Sequence, residues 1–139
     1  MDTELIRIFS EAKLRLSTPR IAIFNAMKES GTPLSTAQII KLCPDIDKVS
    51  VYRTIKLFDT LNIVTIVTHG WKQSYELSSP FHPHHHHIVC DTCGNVIELQ
   101  SPSIETLIHK LAEQQAFTPT SHIFEIHGVC DKCSLNNDL

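Results

Sequence analysis

Two C-x-x-C pairs, Cys90 with Cys93 and Cys130 with Cys133, constrain this chain more than any other feature. Each pair closes a segment of strand character, "HHIVC" and "HIFEIHGVC". Four thiols in two knuckles suit a closed, tetrahedral Zn(Cys)4 site, each tight turn presenting two ligands. The 36 residues between the pairs exceed the usual zinc-ribbon gap, so a helix and two strands must fit inside the loop. A redox dithiol or buried free thiols are the competing readings, and the matched spacing argues against both. Cys43 stands alone in a helical region and is expected to be ordinary core.

A chain of 139 residues makes one domain or two very small ones. Small domains bury too little apolar surface to stand without a staple or a partner. The content of 42% hydrophobic and 19% charged residues suits a soluble globular protein. No apolar run reaches about 18 residues, and the N-terminus "MDTELIRIFSEAK" is charged and amphipathic, so neither a membrane span nor a signal peptide is expected. Thiols in such a chain point to metal or redox chemistry and to the cytoplasm. The net charge of -3 divides unevenly: residues 1–78 carry ten Lys and Arg against eight Asp and Glu, residues 79–139 two against seven. Only the N-terminal part is therefore expected to meet a polyanion.

Along the chain, Leu5, Ile8, Phe9, Ala12 and Leu16 are spaced for one helical face. "STPRIAIFNAMKESG" supplies a second helix, with Thr18 as N-cap, Pro19 in the first turn and Gly31 beyond the end. "STAQIIKLC" opens with Ser35 and Gln38 at capping-box spacing. A fourth helix starts near Asp47, with Val51, Ile55, Phe58 and Leu61 turned inward. Two β-rich pieces, "IVTIVTH" and "QSYEL", then flank a turn at Gly70. This order fits a winged helix-turn-helix and equally a small helical bundle with an incidental hairpin. The two prolines of "SSPFHP" mark residues 79–83 as a hinge. After it come strands "HHIVC" and "NVIEL", helix "SIETLIHKLAEQQ" and strand "HIFEIHGVC", a second and α+β unit. The fold class is thus α+β, with units at residues 1–78 and 84–139.

Residues 82–95, "HPHHHHIVCDTCGN", hold five of the nine histidines. Successive side chains on a strand point to opposite faces, so His84 and His86 face one way, His85 and His87 the other. One run can then serve two metal sites back to back. Further ligands are on offer from Glu76, Glu98, Glu105 and His122, the last opening the final strand. A solvated histidine loop with adventitious metal affinity is the plainer alternative.

These motifs together resemble the Fur (ferric uptake regulator) family of metal- and peroxide-responsive bacterial repressors. The resemblance rests on "TPR" in the second helix, "VSVYRTIKLFDTLNIV", "HHHHIVCDTCGNVIEL" and "HGVCDKC", and covers nearly the whole chain. It implies a winged-helix DNA-binding domain, a hinge and an α+β dimerisation domain. It further implies that Cys90, Cys93, Cys130 and Cys133 hold structural zinc. Glu76, His85, His87 and Glu98 match a sensing site that ties the two domains together, with His69 as a further candidate ligand. His84, His86, Glu105 and His122 match a site inside the dimerisation domain. Tyr52 and Arg53 match recognition-helix residues that meet DNA, and Arg20 a backbone-contacting arginine. Two departures stand out. Pro33 occupies the position where many relatives carry a sensing-site histidine, and His86 stands where iron-sensing relatives often have aspartate.

The function expected is a homodimeric, metal-dependent repressor of metal-homeostasis genes that binds double-stranded operator DNA. Metal would close the hinge and fix two winged helices at the spacing of successive major grooves. Zn2+ leads as regulatory ion, with Fe2+ or Mn2+ close behind. Peroxide sensing is the alternative within the family; a zinc-storage or chaperone protein would not need a winged helix. A zinc hydrolase would need an open coordination position and a positioned base, which these ligand sets do not suggest.

Overall fold

The computed structural model describes residues 1–137, and the chain divides into two compact units, Met1–Pro83 and a second beginning at His84. The first unit runs α1 (Thr3–Glu11), α2 (Thr18–Ser30), α3 (Thr36–Leu42), α4 (Lys48–Thr60), β1 (Val64–His69) and β2 (Lys72–Leu77). Three of its helices begin where a side chain accepts the otherwise unpaired N–H groups of a first turn. Asp2 accepts from the N–H groups of Glu4 and Leu5, Asp47 accepts from that of Ser50, and Ser35 forms the expected capping box with Gln38. The start of α2 differs from expectation. Ser17 is the N-cap, without a side-chain hydrogen bond, and Thr18 is already helical. A proline is tolerated throughout the first turn because those N–H groups lack intrahelical partners, so Pro19 does not fix the cap to one position. Gly31, at φ 64°, ends the helix in the left-handed conformation.

Most of the apolar periodicity turns inward, although α1 ends before Ala12, which is exposed. Leu5, Phe9, Ile23, Phe24, Ile39, Val51, Ile55, Phe58 and Ile63 form one buried cluster, with Leu61 packed against it and Cys43 inside it. Phe9 and Phe58 meet edge to face at 6.3 Å. The opposite face of α4 leaves Val49, Tyr52, Arg53 and Lys56 exposed. Strands β1 and β2 pair antiparallel from Val64↔Leu77 to His69↔Lys72, joined through Gly70 and Trp71. Gly70 takes φ 58°, as such a tight hairpin turn requires. The hairpin is no incidental appendage. Leu34, just before α3, exchanges both backbone hydrogen bonds with Tyr75 of β2, at 2.9 and 2.8 Å. That third, strand-like partner welds the wing to the helices, and the winged helix-turn-helix replaces the bundle alternative. Phe81, in the segment read as a hinge, packs edge-on against Phe24 at 4.9 Å.

The second unit contains β3 (His86–Cys90), β4 (Val96–Leu99), α5 (Pro102–Gln114), β5 (Glu125–Gly128) and α6 (Asp131–Asn137). Its sheet has the order β4-β3-β5, with β3 antiparallel to β4 and parallel to β5. A parallel neighbour needs a crossover, which α5 provides. Two features depart from the sequence reading. The last strand covers only Glu125–Gly128, paired with β3 from His87↔Glu125 to Cys90↔Gly128. His122 therefore precedes the strand rather than opening it. Helix α6 was not expected, since "DKCSLNN" has little apolar periodicity. Central β3 buries His86, Val89 and Cys90, whereas α5 buries no side chain fully. Among the described residues, no helix is long and apolar enough to cross a membrane.

Candidate metal centres and DNA-binding surface

The thiol cluster is assembled by a tight turn, a strand register and a turn of helix. After Cys90 the chain turns back through Gly94, whose N–H donates to the Cys90 carbonyl at 2.8 Å and whose φ is 76°. That turn returns Cys93 towards Cys90. The parallel register then sets Gly128 opposite Cys90, bringing Cys130 alongside. Finally the first turn of α6 folds Cys133 back. All four Sγ atoms lie within 4.8 Å of one another. Cys93 and Cys130 are 3.8 Å apart at sulfur. A disulfide would require about 2.05 Å. A tetrahedron with bonds of about 2.3 Å has edges of about 3.8 Å. The geometry fits a closed zinc site and opposes a redox pair.

The charges agree. The Cys130 N–H donates to Cys90 Sγ at 3.3 Å, and this bond, with further backbone N–H groups of its own knuckle, brings the Cys90 thiol down to about 6. Cys133 is pushed up to about 12, chiefly by its contact with Cys130 and then by burial. Four thiolates this close cannot all ionise without a cation among them.

The histidine run divides as the alternation requires, although only His86 and His87 of it are in strand β3. On one side His84, His86, Glu105 and His122 bring ligand atoms within 4.8 Å of one another. Glu105 sits in the first turn of α5, which Ser101 caps by accepting the Ile104 N–H at 3.3 Å. Its carboxylate lies 3.2 Å from His84 Nε2, 3.0 Å from His122 Nε2, and in contact with His86 Nε2. His84 and His122 approach to 3.0 Å, nitrogen to nitrogen. The His86 contact, then the charges of His122 and His84, hold the Glu105 carboxyl below its ordinary range. Three imidazoles and one carboxylate this close form a donor set compact enough to surround one ion. The cluster has a closed end and an open one: the His86 side chain is 3% exposed and that of His84 52%.

On the other side, His85 and His87 present Nε2 atoms 3.1 Å apart. Glu98 pairs directly with His87 across β3 and β4, so both project from one face. Glu76 and His69 belong to the first unit. Glu76 lies opposite Thr65 and His69 opposite Lys72, so four strand positions, about 13 Å, separate them along the hairpin. The hairpin does not converge these two side chains.

Of the candidate DNA contacts, Tyr52 and Arg53 are exposed on α4. Arg20 is differently placed: its guanidinium donates to the Arg15 carbonyl and lies 5.7 Å over the Phe9 ring. It braces the α1–α2 connection. Pro33 lies in the segment before α3 and offers no ligand. One polar cluster escaped the sequence reading. His127 bonds Asp91 at 2.9 Å and Glu125 at 2.7 Å, which raise its pKa above the ordinary value. The period-two spacing of Glu125 and His127 was the available signal.

The fold and sites define a winged-helix transcription factor carrying a histidine- and thiol-rich metal-binding unit. The family model for the ferric uptake regulator family matches residues 11–127, ending just before Cys130. The chain belongs to that family. The ferric uptake regulation protein of Campylobacter jejuni is 31% identical over 135 residues, which cover 92% of this chain and 85% of the relative. The peroxide-responsive repressor PerR of Staphylococcus aureus is 32% identical over 136 residues, covering 94% and 89%. Among solved structures, the Helicobacter pylori ferric uptake regulator, described as having three functional metal-binding sites, superposes with a TM-score of 0.80 at 25% identity, covering 94% and 89%. The chain is accordingly a metal-responsive transcriptional regulator and not an enzyme. A zinc uptake regulator solved in complex with zinc and DNA shares the fold, with a TM-score of 0.60 at 24% identity.

Proposed function

We propose that this chain is a homodimeric repressor that binds operator DNA when regulatory metal is loaded, with zinc uptake control as its role. The observation that carries the reading is the cluster of His84, His86, Glu105 and His122. Three imidazoles with a single carboxylate form a donor set suited to four-coordinate zinc, whereas iron(II) and manganese favour more oxygen donors. A cation bound there would supply the charge that lets one buried, one exposed and two part-exposed donors converge. His86 anchors that set from β3, Glu105 from α5 and His122 from the segment before β5. Cys90, Cys93, Cys130 and Cys133 hold a structural zinc in this reading. His85, His87 and Glu98 belong to the sensing site in this reading, with Glu76 as a further candidate ligand. Tyr52 and Arg53 meet the bases and phosphates. The test is operator binding, by gel shift, with zinc, iron(II), manganese or chelator present. Binding that ignores all of these metals removes the reading.

Peroxide sensing is the second reading, supported by the relative at 32% identity. It predicts that iron-loaded protein treated with peroxide gains oxygen on a ligand histidine, visible by peptide mass spectrometry, and releases DNA. Zinc-loaded protein should not.

A further inference from the structure

Beside the His84, His86, Glu105 and His122 cluster lies an open cavity of about 350 Å³, lined by His84, His109, Pro119, Thr120, Ser121 and His122. Two of the cluster's donors thus form part of the cavity wall, and a third imidazole faces them. His109 stands four residues after Glu105 on α5, so the two share one helical face, one turn apart. Leu107 and Leu111, each 53% exposed, fall about 200° around the helix from His109. His109 is therefore held to the histidine side of α5, away from its apolar side.

The exposure gradient gives the cluster a direction. His86, at the inner end, is buried against Phe124, with rings 5.6 Å apart. His84 and His109 are exposed. An ion arriving from solvent meets the cavity first and the His86 nitrogen last. A divalent cation sheds water stepwise, and an imidazole at the mouth can replace one of those waters before the inner donors are reached. His109 lies outside the mutually close set of four, as an entry ligand would and a resident ligand would not.

We propose that His109 is a capture ligand, through which divalent cations enter and leave the His84–His86–Glu105–His122 site. This rests on the reading of that cluster as a metal site. It assigns His109 a role in the rate of exchange and none in the final coordination. A transient ligand lowers one barrier, so it speeds loading and release by the same factor and leaves affinity untouched.

The experiment uses the full chain with its thiol site filled, and cobalt(II) as the probe. Stopped-flow absorption in the visible follows loading, and a chelator chase follows release. His86→Ala identifies the phase that belongs to this cluster, because it removes the innermost donor. In His109→Ala that phase should persist with an unchanged final spectrum, but loading and release should both be several-fold slower, with equilibrium affinity within a factor of about two. His109→Cys, which restores a metal ligand at this position, should recover the rates. Unchanged rates in His109→Ala overturn the proposal. So does a weaker affinity with unaltered loading, which would make His109 a resident ligand. If His86→Ala keeps every phase and the full spectrum, the metal-site reading itself is at fault, and the proposal falls with it.

Discussion

Cys93 Sγ lies 3.8 Å from Cys130 Sγ, across 37 positions of sequence. The contact joins the β3 knuckle to the β5 knuckle in a unit that otherwise has little holding it. Among the described residues of that unit, only His86, Val89 and Cys90 are fully buried. Structural zinc sites contribute on the order of 10–16 kcal/mol to folding, so removing one thiolate should cost more than this core can supply. Cys93→Ser is expected to lose its tightly held zinc, by elemental analysis, and to lose helix and sheet from the second unit. The winged-helix unit should keep its own thermal transition. A variant that retains a full zinc complement and native circular dichroism contradicts the thiol assignment.

Asp2 links α1 to α2 and sets a pH dependence for the first unit. Lys28 Nζ donates to its Oδ2 at 2.9 Å, and the N–H groups of Glu4 and Leu5 donate to Oδ1. The Lys28 hydrogen bond first, with the backbone bonds and the Lys28 charge assisting against burial, holds the Asp2 carboxyl below its ordinary value. Because the folded pKa is the lower one, this stabilisation is complete above the unfolded aspartate value of about 3.9 and disappears as pH falls through the folded value. Asp2→Ala should destabilise the unit by about 1 kcal/mol at neutral pH. In paired melts the gap between wild type and Asp2→Ala should narrow below about pH 4. A gap that is constant into strong acid would show that the carboxylate charge is not the source.

Arg53 offers a clean test of the DNA-facing side of α4. Val51, Thr54 and Ile55 turn inward on the same helix, so the exposed Arg53 can be truncated without touching the core. Arg53→Ala should weaken operator binding, and if it grips phosphate the salt dependence should fall by about one unit of log–log slope. Metal content and melting temperature should not move. Arg20→Ala is a poorer probe, because that side chain also braces the α1–α2 connection over Phe9. Unaltered affinity at moderate salt in Arg53→Ala would make this arginine an ordinary surface charge.

Legibility in the sequence followed the locality of each signal. The caps at Ser35 and Asp47 and the glycine at Gly31 act within one helical turn, and they appear where the sequence places them. Period-two alternation is enough to divide His84 and His86 from His85 and His87. What failed depends on partners distant in sequence. Strand β5 is defined by its pairing with β3, which begins at His87↔Glu125, so His122 falls outside it even though its imidazole joins the cluster. Helix α6 has no periodicity of its own and follows directly on the Cys130 knuckle. The weld between Leu34 and Tyr75, which decides between wing and incidental hairpin, joins residues that no local pattern connects. The His109 cavity is a product of the loop before His122 and has no sequence signature beyond an i, i+4 relation to Glu105.

In the zinc reading, His86 is the residue on which the choice of metal turns. It is buried, contacts Glu105 and faces the His122 ring at 5.2 Å, so its replacement changes the donor set without exposing the site. With histidine there, the cluster offers three nitrogens and a carboxylate, a set that zinc accepts in four-coordination. Aspartate would add a hard oxygen donor beside Glu105 and favour ions that take five or six ligands, iron(II) and manganese among them. His86→Asp is therefore expected to shift the zinc-to-manganese preference of this site by on the order of tenfold towards manganese, the scale that ligand-shell changes produce. Competition titrations under anaerobic conditions measure that ratio, and operator binding reports whether the altered preference reaches DNA. Equal preferences in wild type and His86→Asp would mean that this histidine does not set selectivity. The zinc reading meets a harder test in the wild-type protein. If zinc below about micromolar concentration leaves it idle while iron(II) or manganese drives it onto the operator, iron or peroxide control takes the place of zinc.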